Sequence, residues 1–275
     1  MAVTSDGGAV ITGTTYSFTP QTDAFLMKID PLGHIAWQIG FDDLEAGVAV
    51  APVADGFYLL AGDNSVSELF SPPFVPDELT DQAGDPPSYL LRLNPNGEPM
   101  WAKAFAAADA LDASAMGILQ GGDVVVAGTI GDPPSGEDVW VSRFDSAGEI
   151  VWTRRIGDAS VSDDVQSMIV DSAGNVVVLA TRQGGDLCDW VIKFDADGNV
   201  LWQACYSGEH NDWAAQVVEV PGGYVIIGHL DIHAQLNRID YEGNLVWARH
   251  IDSDGIDRDA DTGRELQPDK TPYDS

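Results

Sequence analysis

The sequence predicts an all-β fold, a five-bladed β-propeller of four-stranded antiparallel blades, and three observations carry that prediction. The phrase KFDADGNVLW has four further copies, KIDPLGHIAW, RLNPNGEPMW, RFDSAGEIVW and RIDYEGNLVW. The tryptophans closing these phrases, Trp37, Trp101, Trp152, Trp202 and Trp247, stand 64, 51, 50 and 45 residues apart. A second set of apolar runs, AVITGT, YLLAGD, VVVAGT, VVVLAT and YVIIGH, alternates with the phrase. Short strands repeated at a period of about 40 to 50 residues belong to radial blade architectures, in which only short sheet edges remain open.

Each repeat reads as four strands. The apolar run (VVVAG) is short, rich in β-branched residues and bounded by turns such as DGG, ADG and AGN, which suits a fully buried strand. We expect it to be innermost, with Gly13, Gly62, Gly128, Ala180 and Gly228 at one crowded position beside the axis. A basic strand follows (WVIKFD), carrying Lys28, Arg92, Arg143, Lys193 or Arg238. Its expected partner is the acid that opens the fourth strand: Asp112, Asp164, Asp212, Asp257 or Glu45.

The phrase itself is a hairpin turn. Asp or Asn stands first and Gly fourth, the pattern of a type I turn closed by a left-handed residue, in which the leading acid bonds the turn amides. The tryptophan after the turn offers a large apolar surface to the neighbouring blade. Every residue of the phrase therefore has a folding role, against the alternative of five equal binding pockets.

An acid-led strand (DWAAQVVEV) completes the unit and is expected on the outside. The chain opens inside a repeat, MAVTS matching the end of that strand, so the N-terminal strand is expected to join the C-terminal blade and close the ring. One propeller domain over 1–260 follows, with repeats near 8–52, 56–119, 122–170, 174–219 and 222–260 plus 1–5, and an acidic tail over 261–275.

The segment VTSDGGAVITGTTYSFTPQTDAFLMKIDPLGHIAWQIG resembles the tandem-repeat β-propeller family of secreted bacterial and archaeal proteins, whose units run DGGYIVAG, a loop, then LIKLDxxGNxxW. More distantly, DxxGxxxW is similar to the PQQ-like repeat of quinoprotein propellers, and the four-stranded unit to WD40-like blades. The resemblance covers about 1–260 and implies the fold and an extracytoplasmic, secreted setting; it implies no activity. No residue marks a quinone site. Gln235 departs from the pattern, standing where other repeats have Phe25, Tyr89, Trp140 and Trp190.

Composition narrows the partners. The 44 acidic residues against 13 basic ones give a net charge of −31, which repels nucleic acid and anionic lipid. No apolar run approaches the roughly 18 residues of a membrane span, so no membrane insertion is expected. MAVTSDGG lacks the start of a signal peptide. We expect a monomer that binds a protein or glycan ligand.

Function is sought where the repeat breaks, because it is grafted onto scaffolds. The longest insertion, 63–87, contains SPPFVP and offers Phe70, Phe74, Asp77 and Glu78 as a partner-binding loop. GHLDIH places His229, Asp231 and His233 in one tight turn, a ligand set suited to Zn. DRDADTG has acids at alternate positions, as a Ca loop does, but lacks the turn glycine and distal Glu. Cys188 and Cys205 flank one hairpin and are a candidate disulfide.

The expectation is a non-enzymatic binding scaffold acting through its acidic loop face, without a resident cofactor. The alternative is a hydrolase, metal-dependent or a carboxylate glycosidase, at the channel mouth near His229, Asp63 and Asp231. Only one acid, Asp63, ends an apolar run, which counts against the glycosidase.

Overall fold

The structure, a computed structural model, describes residues 1–16, 23–41, 44, 46–62, 88–104, 111–131, 136–158, 161–183, 187–206, 212–230, 233–251 and 257–259. It contains five antiparallel sheets. The first has β1 (Ala2–Val3), β2 (Ala9–Thr15), β3 (Asp23–Ile29) and β4 (Ile35–Phe41). The second has β5 (Ala46–Val53), β6 (Gly56–Gly62), β7 (Ser88–Leu93) and β8 (Pro99–Ala104). The third has β9 (Leu111–Ile118), β10 (Val124–Ile130), β11 (Asp138–Phe144) and β12 (Ile150–Ile156). The fourth has β13 (Ser162–Val170), β14 (Val176–Gln183), β15 (Cys188–Phe194) and β16 (Val200–Tyr206). The fifth has β17 (Asp212–Val220), β18 (Gly223–Leu230), β19 (His233–Ile239) and β20 (Leu245–Ile251), with β21 (Asp257–Asp259) added outside β20.

Strand order within each sheet follows the chain, so each blade is a meander. The acid-led strand pairs with the apolar strand that follows it, and is first in its blade rather than last. It is also innermost. β5 packs against β9, β9 against β13 and β13 against β17, and like strands of adjacent blades come that close only near the axis. This corrects the expected order, in which the apolar run lined the axis, and shifts the repeat boundaries by one strand.

The small residues of the apolar strand then need another cause. Gly13 lies opposite Phe25, Ala61 opposite Tyr89, Gly128 opposite Trp140 and Ala180 opposite Trp190. A Cβ at Gly13 would stand 3.0 Å from the Phe25 ring. At Gly13 the cross-strand ring thus keeps the position small, whereas at Gly128 the inner strand does so: a Cβ there would meet the Asp112 carbonyl and stand 2.7 Å from the Ala113 Cα. In the second blade the equivalent residue is Ala61, not Gly62.

Four apolar cores fill the four junctions between consecutive blades. Val176, Val178 and Ala180 face the third blade, while Val177 and Leu179 face the fifth. All five are fully buried, as expected of a strand covered on both faces.

Among the described residues, the first and last strands do not share a sheet. β1 pairs with β2, Ala2 opposite Val10, and β21 pairs with β20, Arg249 opposite Asp259. The N-terminal strand therefore completes the first blade and not the last, contrary to the expected closure. Among the described residues, no packing like that of the four inner junctions joins the fifth sheet to the first. Also among them, no helix is long and apolar enough to cross a membrane. The tail, 261–275, lies outside the described residues.

Candidate functional site

The repeated phrase is consumed by architecture. Its glycines have φ between 77° and 86°, and the strand pairing shifts by one residue beyond each turn, as a left-handed closing residue demands. Asp195 Oδ1 accepts the amides of Asp197 at 2.9 Å and Asn199 at 2.8 Å, and Asp240 Oδ1 does the same for Glu242 and Asn244. The tryptophans reach into the next blade. Trp101, Trp152 and Trp202 donate Nε1 to the carbonyls of Ser146, Ala196 and Tyr241 at 3.2, 2.9 and 2.9 Å.

The basic residues find acids, though not the expected ones. Lys28 pairs with Asp6 at 3.0 Å, Arg143 with Asp123 at 2.7 Å, Lys193 with Asp171 at 3.1 Å, and Arg92 with Asp55. Each acid sits in or beside the turn that enters the apolar strand, one strand over from the basic residue. In the last blade Pro221 stands at that turn, and Arg238 Nη2 donates to its carbonyl at 2.8 Å. The acids opening the first strands are thereby released from the role the sequence suggested.

Two of them, Asp112 and Asp164, occupy equivalent positions on adjacent innermost strands, opposite Thr129 and Thr181. They lie at the end of the ring where the 63–87 connection leaves β6. Thr129 joins the two blades there: its Oγ1 donates to Asp164 Oδ1 at 3.2 Å and accepts the Val165 amide at 3.0 Å. Gln166 Nε2 donates to Asp164 Oδ2 at 2.6 Å. Asp112 is solvent-exposed yet flanked by protein; loss of surrounding water, then the charges of Asp164 and Glu137, raise its pKa. Glu137 is held by Ser162 Oγ at 2.7 Å.

Behind this surface is a buried carboxylate. Asp163 is 0% exposed, neither of its oxygens has a hydrogen bond, and the nearest cation is Arg182 Nε at 3.6 Å. Burial pushes its pKa up to about 6; Arg182 opposes the rise, and Asp138 and Asp158 add to it. Arg182 is committed twice, lying 4.5 Å over the Trp190 ring. Asp138 takes Arg155 Nε at 2.6 Å. The mouth thus presents two carboxylates in different settings, backed by a third that cannot reach solvent.

Phe70, Phe74, Asp77, Glu78, Asp63 and Asp231 lie outside the described residues. His229 pairs with Ala234 and His233 with Leu230 in the β18–β19 ladder. Among the described residues, no group of three His, Cys, Asp or Glu could hold a metal. Cys188 and Cys205 are joined by a disulfide, with Cα atoms 5.6 Å apart. Gln235 is 4% exposed opposite Gly228, and its Oε1 has no hydrogen-bond partner.

Comparison with known proteins agrees with the propeller fold. Residues 151–178 match the family model for the beta-propeller repeat, and that segment belongs to a register that recurs in all five sheets. The chain has the fold of a tandem-repeat β-propeller. No curated protein sequence matches this propeller. Among solved structures, a cobalt-substituted apocarotenoid oxygenase from Synechocystis is 14% identical, over 89% of this chain and 59% of its own, with TM-score 0.50. A single-site variant of that oxygenase gives the same identity and coverage with TM-score 0.51. The propeller spans about three fifths of the length of these structures, and the likeness is one of fold.

Proposed function

We propose that this propeller is a non-enzymatic binding scaffold for a basic protein, which it recognises at the acidic mouth formed by Asp112, Asp164 and Glu137. One observation carries the reading: Asp112 is an exposed carboxylate whose pKa is raised in part by the like charges of Asp164 and Glu137, so a cation docking there relieves repulsion. The net charge of −31 supports it, since it steers basic partners toward the molecule. The disulfide supports an extracytoplasmic setting.

The rival is a carboxylate hydrolase, favoured by the same pair standing in different settings on adjacent innermost strands. The elevated Asp163 adds nothing to it, because a fully buried carboxylate cannot touch a substrate. Titration with a deca-lysine peptide, together with an assay on aryl glycosides, separates the two. Peptide binding that weakens in Asp112→Asn and Asp164→Asn upholds the scaffold; glycoside turnover lost in those variants replaces it with the hydrolase.

A further inference from the structure

One position of the apolar strand, close to the mouth, changes from blade to blade together with the innermost strand of the blade that follows. In the third blade it is Thr129, whose Oγ1 accepts the Val165 amide at 3.0 Å and donates to Asp164 Oδ1 at 3.2 Å. Gln166 Nε2 donates to the other oxygen, Oδ2, at 2.6 Å, so Asp164 carries a neutral donor on each oxygen. In the fourth blade the position is Thr181, and the next innermost strand has Trp213 in place of the acid. Thr181 is fully buried and its Oγ1 has no hydrogen-bond partner. A hydroxyl at this position therefore serves the carboxylate of the next blade, and goes unused where that blade has none.

The second blade supplies the opposite case, an acid without its hydroxyl. Gly62 stands where Thr129 and Thr181 do, opposite Ala46 on the innermost strand and Ser88 on the basic strand. Ser88 Oγ does half of the threonine's work, accepting the Ala113 amide at 3.0 Å. Gly62 has no side chain for the other half, and among the described residues no hydrogen bond reaches the Asp112 carboxylate. Both oxygens of an exposed carboxylate are thereby left open. A planar guanidinium uses such a pair, placing two parallel N–H bonds on the two oxygens of one carboxylate, whereas an ammonium is a point donor and needs only one.

We propose that the mouth takes an arginine side chain of its basic partner, with the guanidinium bidentate on Asp112, and that Gly62 is the residue that sets this preference. The assignment rests on the reading of the mouth as the site for a basic protein and names the group read there. Asp164, held by Thr129 and Gln166, and Glu137, held by Ser162 Oγ at 2.7 Å, add fixed negative charge around the cation. Arginine is also more weakly hydrated than lysine, which suits a carboxylate already deprived of part of its water. A lysine answers the charge of the mouth but not the paired oxygens of Asp112.

Calorimetric titration of the intact chain with deca-arginine and with deca-lysine, peptides of equal charge, tests this at about 0.15 M salt. Deca-arginine is expected to bind the unmodified chain about tenfold tighter than deca-lysine. Gly62→Thr leaves the net charge at −31 and gives Asp112 the hydroxyl that Asp164 already has. The arginine preference should fall to about threefold or less in Gly62→Thr and in Asp112→Asn, while Glu98→Gln/Glu242→Gln keeps it. Should Gly62→Thr fail to fold by circular dichroism, Asp112→Asn still decides. Equal affinity for the two peptides in the unmodified chain overturns the arginine assignment and leaves the acidic mouth as a site. A preference that survives in folded Gly62→Thr or in Asp112→Asn overturns it as well. Failure of both peptides to bind the unmodified chain overturns the assignment together with the site.

Discussion

Trp152 donates its indole hydrogen bond to the Ala196 carbonyl of the next blade at 2.9 Å, and its ring fills the space a Cβ on Gly198 would require. One residue thus joins two repeats through a bond and a void at once. Trp152→Ala is expected to cost about 3 to 5 kcal/mol, the range for emptying a buried aromatic site. Gly198→Ala meets both the ring and a left-handed backbone, and should cost about 1 to 3 kcal/mol. Urea unfolding of the two variants and of Trp152→Ala/Gly198→Ala reads both the costs and their coupling.

The basic strand residues differ in what they hold. Lys193 is buried, pairs with fully buried Asp171 at 3.1 Å and lies 5.3 Å from the Tyr224 ring. Lys193→Met leaves that acid without its cation and is expected to cost about 3 to 5 kcal/mol. The Lys103 pair with Glu149 is open to solvent, and Lys103→Met should change stability by no more than about 1 kcal/mol. Similar losses from the two variants would contradict the assigned roles.

Asp163 and Asp171 pull the pH profile in opposite directions. Asp163 is raised from 3.8 to about 6, so its contribution is fully present below 3.8 and is lost as pH rises through about 6. Burial alone would also raise Asp171, but bonds from Tyr224, Asn175 and Lys193 outweigh it and hold the group low; its contribution is present above the ordinary value and lost on acidification. Asp163→Asn should raise the melting temperature at pH 7.5 and flatten the decline between pH 4 and about 6. Thermal melts across that range, with the parent chain alongside, show whether the decline belongs to Asp163.

Gln235 stands buried where four other blades place an aromatic residue, with its Oε1 unbonded. Replacing an unsatisfied buried polar group by an apolar one of similar size removes a desolvation cost. Gln235→Leu is expected to stabilise the chain by about 1 kcal/mol, read as a higher urea midpoint.

The fold was legible because the turn phrase carries its reason in its residues: Asp for the amides, Gly for the left-handed closure, Trp for the next blade. Strand order was not legible. Apolar runs and acid-led strands both bury hydrophobic residues, and sequence cannot say which of two such strands faces the axis. That ambiguity hid the mouth. Once the acid-led strand is innermost, Asp112 and Asp164 converge where the apolar strand would have offered threonines, and the argument against carboxylates at the axis falls. Asp163 was hidden for another reason: DDVQS shows two adjacent acids, but only the strand's pairing tells which of them is turned into the blade junction.

The central claim is that location, not total charge, makes the mouth a binding site. Asp112→Asn/Asp164→Asn and Glu98→Gln/Glu242→Gln each take the net charge from −31 to −29, the first at the mouth and the second on exposed turns at the opposite end. Calorimetric titration of both with the deca-lysine peptide should show affinity about thirtyfold weaker for the mouth variant, and little changed for the other, if each of the two lost contacts contributes roughly 1 kcal/mol. Equal losses in the two variants would mean that the peptide reads the charge of the whole molecule, and would contradict a site at Asp112 and Asp164.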